Sequence, residues 1–237
     1  MSTFVLVHGA WHGAWCWDKV AALLREKGHK VEAPDLPGHG SDDTPLPEVT
    51  LQAYTDKICD ILKAQDEQVI LVGHSMGGVV ISQVAEQCPE KVKKLVYLTA
   101  FLLKDGEFLL QLAGDDKDAL ILPNLIMSED ESYASINKDA IKEILYADCT
   151  EEDVERARSL ICIQAAAPLA TPIRVTDERF GSIPRVYIEC LNDNAITPEL
   201  QKMMHTRMPC EKIITMQTSH SPFLASPEEL VEHLLKC

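Results

Sequence analysis

Residues 69–87 constrain this chain more than any other stretch. Val69-Ile70-Leu71-Val72 is a short, apolar, β-branched run of the kind that forms a strand buried on both faces. Gly73-His74-Ser75-Met76-Gly77 follows directly. The next residues read as a helix that closes at Cys88-Pro89. Strand, tight turn and helix, with glycine on both sides of a serine, make the G-x-S-x-G pattern of a nucleophile elbow. The turn forces Ser75 into a strained backbone conformation and lifts its hydroxyl clear of the sheet. Gly73 and Gly77 stand where a Cβ would collide with neighbouring backbone.

The rest of the chain supplies a sheet for such an elbow. Strand-like runs near 3–8, 29–34, 69–73, 94–99, 185–190 and 212–216 alternate with helix-like runs near 15–27, 51–65, 76–87, 197–208 and 227–236. That alternation predicts an α/β protein whose mostly parallel sheet of about six strands carries helices on both faces. Ser226-Pro227-Glu228-Glu229 reads as an N-cap serine, proline at N1 and glutamate at N3. Thr197-Pro198-Glu199 gives a similar start, and Gly28 ends the first helix as a C′ residue. Between about 102 and 182 the rhythm breaks, with Asp139–Tyr146 and Glu151–Ala166 as the clearest helices. We therefore expect a core formed by 1–101 and 183–237. Residues 102–182 form an inserted helical cap, or lid, over the strand C-terminal ends, where ligands bind in open α/β sheets.

A serine hydroxyl needs an adjacent base to act as a nucleophile. In this architecture the acid and then the histidine follow in chain order, each on a loop after a later strand. Asp193 lies just after the strand-like Arg185-Val186-Tyr187-Ile188-Glu189, and His220 just after Ile213-Ile214-Thr215-Met216. His205 and His233 fall inside expected helices, His29 sits at a helix-strand junction, and His74 points away if Ser75 points up. The rival acid is a carboxylate after the 94–99 strand, where Asp105 is nearest. An acyl oxyanion needs two backbone N–H donors. Met76 is the expected first donor, and Ala10, ahead of Trp11, the second, from the loop His8-Gly9-Ala10-Trp11-His12-Gly13. His8 and His12 have H-x-x-x-H spacing but do not share a helix face, so no metal is expected and no cofactor is needed. Asp35-Leu36-Pro37-Gly38-His39-Gly40-Ser41 reads as a structural turn.

The 237 residues suit one domain with a substantial core. A net charge of −15 argues against nucleic acid or an anionic membrane surface as partner and is silent about a neutral small molecule. No apolar stretch is long enough to cross a bilayer, and the N-terminus runs straight into strand-like residues without a leader pattern. Eight cysteines without a C-x-x-C pair read as reduced thiols in a cytoplasmic protein.

With these residues placed, the chain resembles the α/β-hydrolase superfamily. Within it the chain is similar to the branch of plant methyl-salicylate-type esterases, hydroxynitrile lyases and their bacterial carboxylesterase relatives. The resemblance runs through 4–17, 35–41, 71–78, 186–201 and 219–222 and leaves the cap matched only by position. It implies the α/β-hydrolase fold, Ser75, Asp193 and His220 as triad, Ala10 and Met76 as oxyanion hole, and a homodimer, as branch members often form. The branch's lyases carry threonine where this chain has Gly9 and lysine where it has Ser221, and the esterases match at both. The expected function is a serine carboxylesterase acting through an acyl-enzyme on small to medium hydrophobic esters, aryl and pyrethroid-like esters included. Lyase or lactonase chemistry on the same triad, and a hydrolase-derived ligand sensor, are the alternatives. A haloalkane dehalogenase is disfavoured, since it needs a carboxylate where Ser75 stands. The apolar residues of the cap, from Leu102 to Met127, serve either as pocket wall or as packing face.

Overall fold

The computed structural model describes all residues 1–237. Four strands open the chain: β1 (Thr3–Val7), β2 (Lys30–Glu32), β3 (Val69–His74) and β4 (Val92–Leu98). After β4 the chain makes a long excursion, which holds three short strands, β5 (Leu125–Met127), β6 (Tyr133–Ile136) and β7 (Gln164–Ala165). It then returns as β8 (Arg185–Cys190) and β9 (Lys212–Met216). The main sheet has the order β2-β1-β3-β4-β8-β9 and is parallel throughout. Burial follows that order. Every residue of β1 and β3 is buried, whereas β2 and β9 alternate at the edges.

The core helices are α1 (Asp18–Glu26), α2 (Leu51–Lys63) and α3 (Gly77–Gln87). The excursion carries α4 (Leu109–Asp115), α5 (Ile141–Leu145), α6 (Glu151–Leu160) and α7 (Ala166–Ala170). The chain closes with α8 (Pro198–Arg207), α9 (Pro222–Ala225) and α10 (Pro227–Leu234). Packing pairs α1 with α10 and α2 with α3, the two faces that right-handed crossovers on either side of β1 require. Strand order reverses between β1 and β3, so the loops after these two strands flank a crevice at the C-terminal edge of the sheet.

Several local expectations changed in the folded chain. The excursion is not purely helical, because β5, β6 and β7 form a second, antiparallel sheet of three strands. The helix expected over 151–166 ends at Leu160, and Gln164-Ala165 pairs with Tyr133-Ala134 instead. Two or three residues of pairing are too short to leave an alternation in the sequence. Thr197 caps α8 through Leu200 N–H at 3.3 Å as expected, but Ser226 makes no side-chain cap to α10. Gly28 takes φ +82° at the end of α1, the left-handed conformation of a C′ glycine.

Candidate active site

The elbow after β3 has the strained geometry that its glycines foretell. Ser75 sits at φ +54°, a conformation that costs a side-chain-bearing residue roughly 1–3 kcal/mol. Its carbonyl is held by the N–H groups of Gly78 (3.0 Å) and Phe101 (3.1 Å). A Cβ on Gly73 would lie 2.6 Å from the Gly77 carbonyl oxygen, and one on Gly77 would lie 2.7 Å from that of Val7. Glycine is required there for the helix to start this close to the sheet. A Cβ on Gly9 would lie 2.8 Å from that of Ser75, so the loop after β1 touches the elbow directly.

Asp193 follows β8 and His220 follows β9, and the fold brings them together. His220 Nδ1–H donates to Asp193 Oδ2 at 2.7 Å, with both residues almost fully buried. A carboxylate only accepts, so Nδ1 carries a ring proton, and in the neutral imidazole this tautomer leaves the lone pair on Nε2. Asp193 Oδ1 accepts from the N–H groups of Ala195 (2.7 Å) and Ile196 (3.0 Å). The Thr99 hydroxyl donates to Oδ2. Thr99 escaped the sequence reading although it sits at the end of β4 with φ +37°, a rare conformation for a β-branched residue. The rival acid, Asp105, lies elsewhere, accepting from Val175 N–H at 3.1 Å and facing Arg174. His74 does more than point away. Its Nε2–H donates to the His220 carbonyl at 2.8 Å, and the two rings lie 4.6 Å apart. Burial and the neighbouring histidines hold His74 well below the usual imidazole pKa, and therefore neutral. The Ser75 hydroxyl makes no hydrogen bond to His220 in this structure and lines the adjoining pocket.

The loop after β1 is set by two neutral histidines. Leu36 N–H donates to His8 Nε2 at 3.0 Å, which leaves the ring proton on Nδ1 to donate to the Gly9 carbonyl at 2.8 Å. Gly9 C=O and Ala10 N–H belong to one peptide plane, so this bond turns the Ala10 N–H the opposite way. His12 Nδ1–H donates to the Ala10 carbonyl at 2.7 Å, and its Nε2 accepts from the Tyr146 hydroxyl at 2.7 Å. Burial pushes the His12 pKa down to about 4, in keeping with that neutral ring. Trp11 takes φ +62°, and its indole N–H donates to the Ala134 carbonyl at 3.1 Å. The N–H groups of Ala10, Trp11 and Met76 donate to no other protein group. The Asp35 turn buttresses the loop, accepting from Ala14 N–H (2.7 Å) and Ser41 N–H (2.9 Å). No group of three or more His, Cys, Asp or Glu side chains forms a metal site.

Ser75, Ala10 and Met76 open on one narrow cavity of about 40 Å³. Fifteen of its seventeen lining residues are hydrophobic, and Asp116 is the one acidic side chain among them. The excursion's apolar residues divide in role. Leu109, Leu110, Ile121, Leu122 and Leu125 face the cavity, Leu102 and Leu103 are core, and Ile126 and Met127 are exposed. The excursion also grips each site loop. Asp148 accepts from the N–H of Ser219 (2.7 Å) and from its hydroxyl, next to His220. Asp116 accepts from Thr197 N–H (2.9 Å) and Oγ1–H (2.7 Å), four residues past Asp193. Tyr146 holds His12. None of these three residues carries a local motif.

Known proteins are similar to this chain over nearly its whole length. Methylesterase 1 of Arabidopsis thaliana is 36% identical over 98% of this chain and 94% of its own length. The pyrethroid hydrolase of Sphingobium wenxiniae is 34% identical over 98% of this chain and 86% of its own. The crystal structure of polyneuridine aldehyde esterase superposes with a TM-score of 0.92 at 28% identity, covering 100% of this chain and 98% of that one. No helix is long and apolar enough to cross a membrane. The model of the alpha/beta hydrolase family matches residues 4–233, nearly the full parallel sheet and everything set upon it, and this chain belongs to that family.

Proposed function

We propose that the protein is a serine carboxylesterase for small to medium hydrophobic esters, aryl and pyrethroid-like esters among them. The observation that carries the reading is the strained Ser75, which opens on an apolar cavity also lined by Ala10 and Met76, whose N–H groups are unspent. Ester hydrolases of this family, a methylesterase and a pyrethroid hydrolase among them, support it.

In this mechanism the Ser75 hydroxyl turns onto His220 Nε2; such bonds are commonly long or unformed in empty sites. Ser75 Oγ attacks the ester carbonyl as His220 takes its proton. The oxyanion rests on the Ala10 and Met76 N–H groups, where losing one donor typically costs ~10²–10³ in turnover. Collapse of the intermediate breaks the ester C–O bond, and His220 returns the proton to the leaving alcohol. Water, deprotonated by His220, then frees the acid from Ser75. Asp193 holds the imidazole tautomer throughout. The segment 102–182 acts as a cap that supplies the apolar wall, and with no cationic side chain in that wall the acyl and alcohol groups favoured are neutral. Thiols that are all free fit a reducing compartment such as the cytoplasm.

Hydrolysis of p-nitrophenyl acetate, butyrate and octanoate by the wild type and by Ser75→Ala tests the reading. Turnover that vanishes in the variant is expected, and the chain-length preference sizes the cavity. No turnover by the wild type on any of the three would overturn it and move lyase or sensor functions ahead.

A further inference from the structure

Cys59 and Cys88 lie apart from the pocket, on the two helices that cover one face of the sheet. Cys59 is on the buried side of α2, among Thr55, Ile58 and Leu62, and Cys88 is the residue that ends α3. Their sulfurs are 2.7 Å apart, closer than two unbonded sulfurs pack and a fraction of an ångström from the ~2.05 Å of a bond. Neighbouring polar contacts fix the same helix pair. Gln87 Nε2 donates to Asp56 Oδ1 at 3.0 Å, and Gln52 Nε2 donates to Gln87 Oε1 at 2.9 Å. The register that aligns the thiols is therefore held independently of them. Of the eight cysteines, only these two meet sulfur to sulfur.

We propose that Cys59 and Cys88 are a covalent modification site, a dithiol that closes to a reversible disulfide between α2 and α3 when the protein meets a small-molecule disulfide. Cys88 is the entry point. It lies at a helix end before Pro89 and is 3% exposed, whereas Cys59 is fully buried. Fraying of that end frees the Cys88 thiolate, which attacks the oxidant disulfide, forms a mixed disulfide and expels one thiolate. Cys59 then attacks the Cys88 sulfur and expels the second. The protein pair loses two electrons and two protons, and the oxidant becomes two thiols. Burial pushes the Cys59 thiol up, so closure is slow at neutral pH and waits on the opening of the α3 end. The bond joins residues 29 apart and pins the far end of the helix that begins at the elbow. It leaves the pocket untouched.

Native protein incubated with glutathione disulfide, then unfolded in excess alkylating reagent and weighed intact, tests this directly. The expected product carries six labels on its eight cysteines, and its peptide map joins Cys59 to Cys88. Its melting temperature rises by about 5–10 °C and returns on reduction with dithiothreitol. Cys88→Ala treated alike keeps its melting temperature and its seven labels. Eight labels on the wild type after prolonged oxidation, or a bridge between other cysteines, would overturn the proposal. The mass readout needs no variant and no substrate, so it stands or falls apart from the esterase reading.

Discussion

Asp193→Asn isolates the electrostatic logic of the site. In the native loop two backbone donors, Ala195 N–H and Ile196 N–H, aim at Oδ1 and cannot turn away. An asparagine keeps its carbonyl oxygen on them and so places its NH₂ where Oδ2 was. There the Thr99 hydroxyl can rotate to accept, but His220 Nδ1 must give up its proton. The ring then carries hydrogen on Nε2, the nitrogen that accepts from Ser75 in the proposed mechanism. Volume is unchanged, so the fold should persist. Forcing the wrong tautomer costs about 10⁴ in kcat in a serine triad, or ~5 kcal/mol of transition-state stabilisation. Asp193→Ala removes the acceptor without imposing a tautomer, so Asn should lose at least as much as Ala despite being the closer isostere. The assay is kcat for p-nitrophenyl butyrate across pH 6–9, with thermal melts to confirm folding. An Asn variant that keeps about a tenth of wild-type kcat, or clearly exceeds Ala, refutes the tautomer argument.

Tyr146→Phe leaves His12 Nε2 buried without its donor, a cost of about 1–3 kcal/mol. A melting temperature lowered by about 3–10 °C is expected, and no change would show that Tyr146 does not brace the loop after β1. The buried histidines set an acid limit. His12 has its folded pKa at about 4 against ~6.5 unfolded, so the unfolded chain binds the extra proton and stability falls as pH drops from 6.5 towards 4. His12 alone accounts for ~3 kcal/mol of that loss, and His8 and His74 act in the same direction. Urea midpoints at pH 8, 6 and 5 check it, and a flat profile contradicts it. Asp116→Asn should raise kcat/KM for an ester bearing a second, free carboxylate by about 10-fold relative to its neutral analogue. An unchanged ratio would mean that the carboxylate does not face the substrate.

The elbow, the chain order of serine, acid and histidine, and the strand-helix rhythm were all open to reading from the residues. Each is written locally, as a glycine spacing around Ser75, a charged or titratable residue just past a β-branched run, or a period of apolar positions. Tertiary structure alone decided the rest. The order β2-β1-β3-β4-β8-β9 sets Gly9 against Ser75, and Thr99 is recruited only because β4 and β8 are neighbours. The pairing of Gln164-Ala165 with Tyr133-Ala134 turned an apparent helix end into a strand. Asp148, Asp116 and Tyr146 reach the site loops across long stretches of sequence. Their partners are chosen by which surfaces meet after the chain has collapsed, and a single polar residue bonding to a distant loop imposes no periodicity on its own neighbours.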